Sequence, residues 1–333
     1  MPEIRQDPTT NEWVIIASNR AKRPRDFVKS KRERSLPSYE PSCPFCRGNE
    51  HLSSEEILRH PTEKDTDWRV RVITNKYPSL VSQGSTQQRK EDSFFTKIDG
   101  VGFHDVIVES PIHNRFIHLM EDQEVKELLM VYQERYNQLS GDPKVKLITI
   151  FKNHGEAAGT SLIHPHSQLV ATPIVSAELK HQFEVATTYH DDNGRCLYQD
   201  IIDHELRVGE RIVMETEEFA VFHPFASRVP FETWIMPKKR QASFGNVSAK
   251  DLACLAQVLR VTLLKLYLSL NDPDFNYTIH TAPVVEESKN YYLWHLRIMP
   301  RLTSIAGFEI GSGMYINTAL PEETADFIRN SKV

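Results

Sequence analysis

Two long amphipathic stretches, each halted by an Asp-Pro stop and followed by a β-branched run, constrain this chain more than any other feature. From Glu121 to Leu139, apolar Val125, Leu128, Leu129, Val131 and Tyr132 recur at helical spacing until Gly141-Asp142-Pro143 ends the pattern. From Ser248 to Ser269, Leu252, Leu255, Val258, Leu259 and Leu263 do the same until Asn271-Asp272-Pro273. Val145–Phe151 and Phe275–His280 then read as strands, each followed after a loop by a second strand, Leu169–Val175 in one case and Tyr292–Pro300 in the other. Shorter strands precede each helix, at Trp68–Ile73 and His104–Glu109, and again at Phe219–Phe222 and Phe231–Pro237. The order repeats, so the chain reads as an internal duplication of two α+β halves, residues 1–175 and 176–333. In this alignment His295-Leu296-Arg297 falls where His164-Pro165-His166 stands, and only the first copy keeps two histidines at i and i+2.

That asymmetry draws attention to the segment from Asn153 to Gln168. Its centre, Gly155-Glu156-Ala157-Ala158-Gly159-Thr160-Ser161, is a small-residue loop whose backbone N–H groups can approach an anion closely. His164 and His166 then share one face of the following strand, and Pro165 between them suits an edge or opened strand. An isolated H-x-H is more often a packed or metal-bridging pair than a nucleophile. Beside a phosphate cradle, it points to phosphorus chemistry with imidazole as nucleophile, base or ligand.

Forty basic residues against 45 acidic ones leave a net charge of −5, so no global field draws the chain to nucleic acid or to a membrane. With no apolar run near membrane-spanning length and no secretory leader pattern, the expectation is a cytoplasmic protein. Four cysteines in 333 residues make no disulfide framework. Two of them form Cys43-Pro44-Phe45-Cys46, a knuckle that turns two thiolates onto one metal. A redox pair is the rival, but no thioredoxin-like βαβ pattern flanks it. Without a second C-x-x-C the remaining ligands must be histidines, from among His51, His104, His113, His118, His154 and His164. Near the N-terminus, Arg20-Ala21-Lys22-Arg23-Pro24-Arg25 is either a solvated arm or a phosphate clamp built on the guanidinium fork.

Taken together, Cys43-x-x-Cys46, the Arg20 to Pro24 run, Ser110-Pro111-x-His113, Asn153 with its loop, and His164-Pro165-His166-x-Gln168 resemble the galactose-1-phosphate uridylyltransferase family of the histidine triad superfamily. The resemblance spans nearly the whole chain. It implies two fused half-barrels of antiparallel strands with helices packed outside, as a homodimer. It implies His166 as a nucleophile on the α-phosphorus of a nucleotide sugar, Gln168 on the transferred phosphoryl, and Ser161 with the loop amides on the developing charge. Cys43, Cys46, His113 and His164 would bind one structural zinc that fixes the strand carrying His166. Arg20, Arg23, Asn75, Asn153 and Gly159 would line the substrate site, joined by Phe308 and Gly311 from the C-terminal segment.

Departures from the family pattern bear on substrate. Of a second metal site, His280 and His295 remain, Arg297 replaces a third histidine and Gln182 stands at the acidic position, so that site is expected to be absent or altered. The segment Gly307 to Asn317, Phe103-His104-Asp105 and Trp68 to Val72 look closer to the ADP-glucose phosphorylase branch, although Gln199 fills the second place of the C-x-x-C that the branch would need at Cys196. The leading expectation is uridylyl transfer between glucose 1-phosphate and galactose 1-phosphate by a ping-pong route. The alternatives are adenylyl transfer from ADP-glucose to phosphate, and a zinc-stabilised nucleotide-binding protein without turnover. A binding module would lose little affinity on His166→Ala; a transferase needs that residue.

Overall fold

The computed structural model describes residues 1–17, 23–28, 36–62 and 67–332. The N-terminal hairpin β1 (Glu3–Gln6) and β2 (Trp13–Ile16) leads into the Cys43–Cys46 knuckle, then β3 (Glu56–His60) and β4 (Val70–Thr74). A small exposed hairpin, β5 (Arg89–Lys90) and β6 (Thr96–Lys97), precedes β7 (Phe103–Val108) and helix α1 (Asp122–Ser140). Strands β8 (Leu147–His154) and β9 (His166–Thr172) close the first half. Helices α2 (Ala177–Asn193) and α3 (Leu197–Val208) open the second, followed by β10 (Ile212–Glu215), β11 (Phe219–Phe222) and β12 (Thr233–Pro237). Helix α4 (Ala249–Leu270), β13 (Phe275–His280) and β14 (His295–Pro300) follow, and the chain ends with α5 (Gly307–Ser312), β15 (Tyr315–Asn317) and α6 (Pro321–Arg329).

Ten strands form one antiparallel sheet in the order β10-β11-β12-β14-β13-β8-β9-β7-β4-β3. The order is symmetric about the β13–β8 seam, where Asn276 faces Asn153 and Phe275 faces His154. The repeat read from the sequence is therefore a structural one, and its two halves share a continuous sheet. Both long helices lie on one face. Leu128, Leu129 and Tyr132 of α1 and Leu255, Leu259 and Leu263 of α4 join Ile107, Ile150, Leu169, Ile279 and Leu296 in the main core. By length and composition α4 could cross a membrane, but its apolar stripe packs on α1 and the sheet.

The opposite face is covered differently in each half. In the second, Leu179, Phe183 and Ala186 of α2 and Tyr198 and Ile202 of α3 pack against Phe222, Trp234 and Met236. In the first, Cys43, Phe45 and Cys46 pack with Trp68, Ile73, Val106 and Val108. A knuckle is smaller than a helix pair, and the sheet beyond it stays open around His166.

The alignment of the two halves needs one correction. His166 and His295 each begin a strand, and each Nδ1 reaches the carbonyl two residues back, His164 O at 2.8 Å and Leu293 O at 3.1 Å. Leu293-Trp294-His295, not His295-Leu296-Arg297, is the counterpart of His164-Pro165-His166. The two-residue slip preserves strand alternation, so polarity patterning alone could not detect it.

Candidate active site

The knuckle is fixed by its own polar contacts. The Asn49 side-chain amide donates to the carbonyls of Cys43 at 2.9 Å and Pro41 at 3.1 Å, and the Glu40 N–H donates to Cys46 Sγ at 3.4 Å. Cys43, Cys46, His113 and His164 are all buried, and their ligand atoms lie within 4.8 Å of one another. His164 Nε2 lies 2.7 Å from the Ser110 carbonyl, which can only accept, so the proton sits on Nε2 and Nδ1 faces the cluster. Burial lowers the pKa of both imidazoles, that of His164 to about 3, so both are in the neutral form that ligates metal. Two thiols and two imidazoles so arranged fit a tetrahedral divalent ion. The other candidates lie elsewhere: His118 stacks on Tyr267, His154 on Phe275, and His51 is exposed.

His166 follows one residue past Pro165. Its Nδ1–H donates to the His164 carbonyl, which leaves Nε2 with the free lone pair. Burial holds its pKa below the ordinary imidazole value, so the ring is neutral at pH 7. Phe45 packs its ring 5.4 Å from that of His166. Below the strand, Lys152 Nζ donates to the His166 carbonyl at 3.0 Å and to Glu109 Oε2 at 2.7 Å. Glu109 Oε1 accepts from Ser167, which also meets Tyr132, and Tyr132 reaches Tyr277 at 2.7 Å. The strand that carries His166 thus rests on a buried, mutually satisfied polar network.

Two cavities meet at His166. One, of about 380 Å³, is lined by Phe116, Asn153, His154, Gly155, Thr160, Ser161 and His166. The other, of about 390 Å³, is lined by Phe45, Leu52, Ile73, Asn75, Tyr77, Val106, Ser161, His166 and Gln168. Of the residues expected to bind substrate, Asn75, Asn153, Ser161 and Gln168 therefore converge on His166. Gly159 ends the loop's short 3-10 turn at φ +85°. Gly155 has the same φ and admits no side chain, because a Cβ there would meet Asp274 Oδ1 at 2.0 Å. Arg23 is exposed and lines neither cavity, and Arg20 lies outside the described residues. Phe308 and Gly311 lie on α5, beside β15, and also line neither.

The second half supplies residues that motif reading missed. Asp274 Oδ2 accepts the Ala157 N–H at 2.9 Å, and the Asn276 amide donates to Asn153 Oδ1 at 2.7 Å and to the Ala158 carbonyl at 2.9 Å. These contacts cross the seam and clamp the loop. No local pattern announces them. Lys152 was legible in principle, since it occupies an inward position of the Ile148-x-Ile150-x-Lys152 alternation.

Where a second metal site was doubted, the His280 and His295 rings stack 4.9 Å apart and Arg297 pairs with Glu232 at 2.6 Å, both side chains buried. The guanidinium puts a fixed positive charge where a ligand would be needed.

Comparison with known proteins agrees with this geometry. The family described as galactose-1-phosphate uridyl transferase matches in two parts, its N-terminal domain over residues 1–176 and its C-terminal domain over residues 181–328. ADP-glucose phosphorylase of Arabidopsis thaliana is 38% identical over 98% of this chain and 92% of its own length. Galactose-1-phosphate uridylyltransferase of Thermotoga maritima is 30% identical over 100% of this chain and 99% of its own. The crystal structure of an Arabidopsis thaliana ADP-glucose phosphorylase with bound ADP-glucose superposes with a TM-score of 0.86 at 34% identity, covering 100% of this chain and 99% of that one.

Proposed function

The chain belongs to the galactose-1-phosphate uridyl transferase family of nucleotidyltransferases, and we propose that it moves a nucleotidyl group from a nucleotide sugar to a phosphate-bearing acceptor through a covalent bond to His166. The observation that carries this reading is a neutral imidazole, tied through Nδ1 and standing between two cavities. His166 Nε2 attacks the α-phosphorus, the bond from that phosphorus to the bridging oxygen breaks, and sugar 1-phosphate departs. An acceptor phosphate oxygen then attacks the same phosphorus and the P–N bond breaks, which returns the electron pair to Nε2. Gln168 donates to the transferred phosphoryl, while Ser161 and the loop amides stabilise charge on its oxygens. Asn75 and Asn153 line the substrate site, the Gly159 turn closes the loop beside it, and Arg20 would serve the phosphates.

Cys43, Cys46, His113 and His164 would hold zinc, whose contribution is to fix the strand leading into His166. The chain would act as a homodimer.

For the reaction, uridylyl transfer between glucose 1-phosphate and galactose 1-phosphate is the reading that the family match supports. Adenylyl transfer from ADP-glucose to phosphate is the second, favoured by the 38% identity to the Arabidopsis enzyme and the 0.86 TM-score. The test is product analysis of two mixtures. UDP-galactose formed from UDP-glucose and galactose 1-phosphate supports the first reading. ADP formed from ADP-glucose and phosphate supports the second. Nucleoside monophosphate released in both without any acceptor would contradict transfer.

A further inference from the structure

His104 was one of six histidines that the sequence left open as a metal ligand, and it lies outside the metal cluster. It stands on β7, two residues from Val106, the strand partner of Gln168, so the two side chains share one face. Its Nδ1 lies 3.1 Å from the main-chain nitrogen of Ser79, a group that can only donate. Nδ1 is therefore the acceptor, the neutral ring carries its proton on Nε2, and that N–H points at Gln168 Oε1, 2.8 Å away. Asn75 reinforces the arrangement. Its Oδ1 accepts the Tyr77 N–H at 2.9 Å, which turns its amide nitrogen towards Gln168 Oε1, 3.5 Å away, as a second and longer donor to the same oxygen. The 3.0 Å approach of that nitrogen to His104 Nε2 sets two donors side by side around their shared acceptor and is not itself a hydrogen bond.

An isolated glutamine side chain can rotate by half a turn and present oxygen or nitrogen with similar ease. Here two donors converge on the oxygen. The amide nitrogen is what remains to face the cavity that Gln168 shares with His166. An oxygen there would repel a phosphoryl group, whereas an N–H₂ donates to it. Resting on the reading of His166 and Gln168 above, we infer that His104 is a positioning residue for nucleotidyl transfer. It locks the Gln168 amide in the donating orientation and is itself held by the Ser79 backbone. The chain thus runs from a loop amide through an imidazole to the group proposed to touch phosphate, and the turn that walls the cavity shared by Gln168 and His166, through Asn75 and Tyr77, sets its far end.

Rapid-quench measurement of adduct formation, with UDP-glucose and in a parallel series with ADP-glucose, separates this role from a packing one. His104→Leu keeps the bulk and loses both nitrogens; it should slow adduct formation by roughly 10- to 100-fold, in the range expected when a donor to the transferring group is disoriented. His104→Gln keeps a donor at the position of Nε2 and should recover most of the rate. The decisive readout is the double variant: in a Gln168→Ala background, His104→Leu should cost little more, because its partner is gone. Full additivity of the two losses, or a His104→Leu rate equal to wild type, overturns the inference while leaving His166 as the nucleophile. A wild-type protein that forms no adduct with either donor overturns the inference together with the proposed function.

Discussion

The two halves place the same strands in the same order and put opposite environments around equivalent histidines. His166 keeps Nε2 at the junction of two cavities. His295 makes the same Nδ1 contact to the chain, yet its ring is walled in, 4.7 Å from Trp234, 4.9 Å from His280 and 5.6 Å from Tyr198. The polar bed under His166 has an apolar counterpart: Lys152 and Ser167 on one side correspond to the Ile279–Leu296 pair on the other. Gln168 corresponds to Arg297, which is consumed by Glu232. Helices α2 and α3 then seal the second half, where the first leaves its face to a metal knuckle and open space. One fold thus leaves cavities around its histidine when its outer face is open and its bed is polar, and forms a core when both are filled. The filled half still acts on the open one, through Asp274 and Asn276 on the loop.

The largest expected effect separates the two histidines. His166→Gly should remove covalent nucleotidylation, by about 10⁴-fold or more, and leave nucleotide-sugar binding within a few-fold, because only the nucleophile is lost. His295→Leu should leave nucleotidylation intact; intact-mass spectrometry of both variants with donor reads the contrast directly. Cysteines offer the next comparison. Cys43→Ser should release the metal and lower stability by about 5 kcal/mol, seen as a fall in melting temperature with loss of metal by mass spectrometry. Cys196→Ser, at the start of α3 in the apolar cluster, should cost about 1–2 kcal/mol and leave metal content unchanged.

A smaller effect tests the polar bed. Lys152→Met leaves the Glu109 carboxylate buried without its partner and should destabilise by about 3 kcal/mol in denaturant titration. Adding Glu109→Leu should return most of that, as the apolar bed of the second half implies, but adduct formation should stay slow because the His166 carbonyl has lost its donor. The last comparison is a pH dependence, an effect that accumulates gradually over several pH units. Burial lowers the pKa of His223 and His295 to about 3 and that of His280 well below its ordinary value. These rings stay neutral when folded and gain protons once unfolded. Their contribution is complete above pH 6.5 and is lost as pH falls towards their folded values, at up to about 1.4 kcal/mol per pH unit for each. Stability that is flat from pH 7 to pH 4.5 would contradict their burial.

The sequence showed what is local. Helices α1 and α4, nearly every long strand, the knuckle and H-P-H were legible from spacing, and the two histidines of the cysteine–histidine cluster, His113 and His164, came from resemblance. The helices covering the second half went unread: α2 has an apolar stripe of only Leu179, Phe183 and Ala186, interrupted by charged and polar residues. The roles of His104, Asp274 and Asn276 depend on strand pairing between distant segments, which no local period encodes. The two-residue slip in matching the halves arose because an even shift leaves every side chain on its own face.

The most direct test is the intact mass of the purified protein after mixing with UDP-glucose alone and with ADP-glucose alone, each beside His166→Gly. The account predicts a mass increase of one nucleotidyl group on the wild type with at least one donor, discharged by galactose 1-phosphate or by phosphate, and none on the variant. An adduct that persists on His166→Gly, or a wild type that turns over donor without ever carrying one, would contradict it.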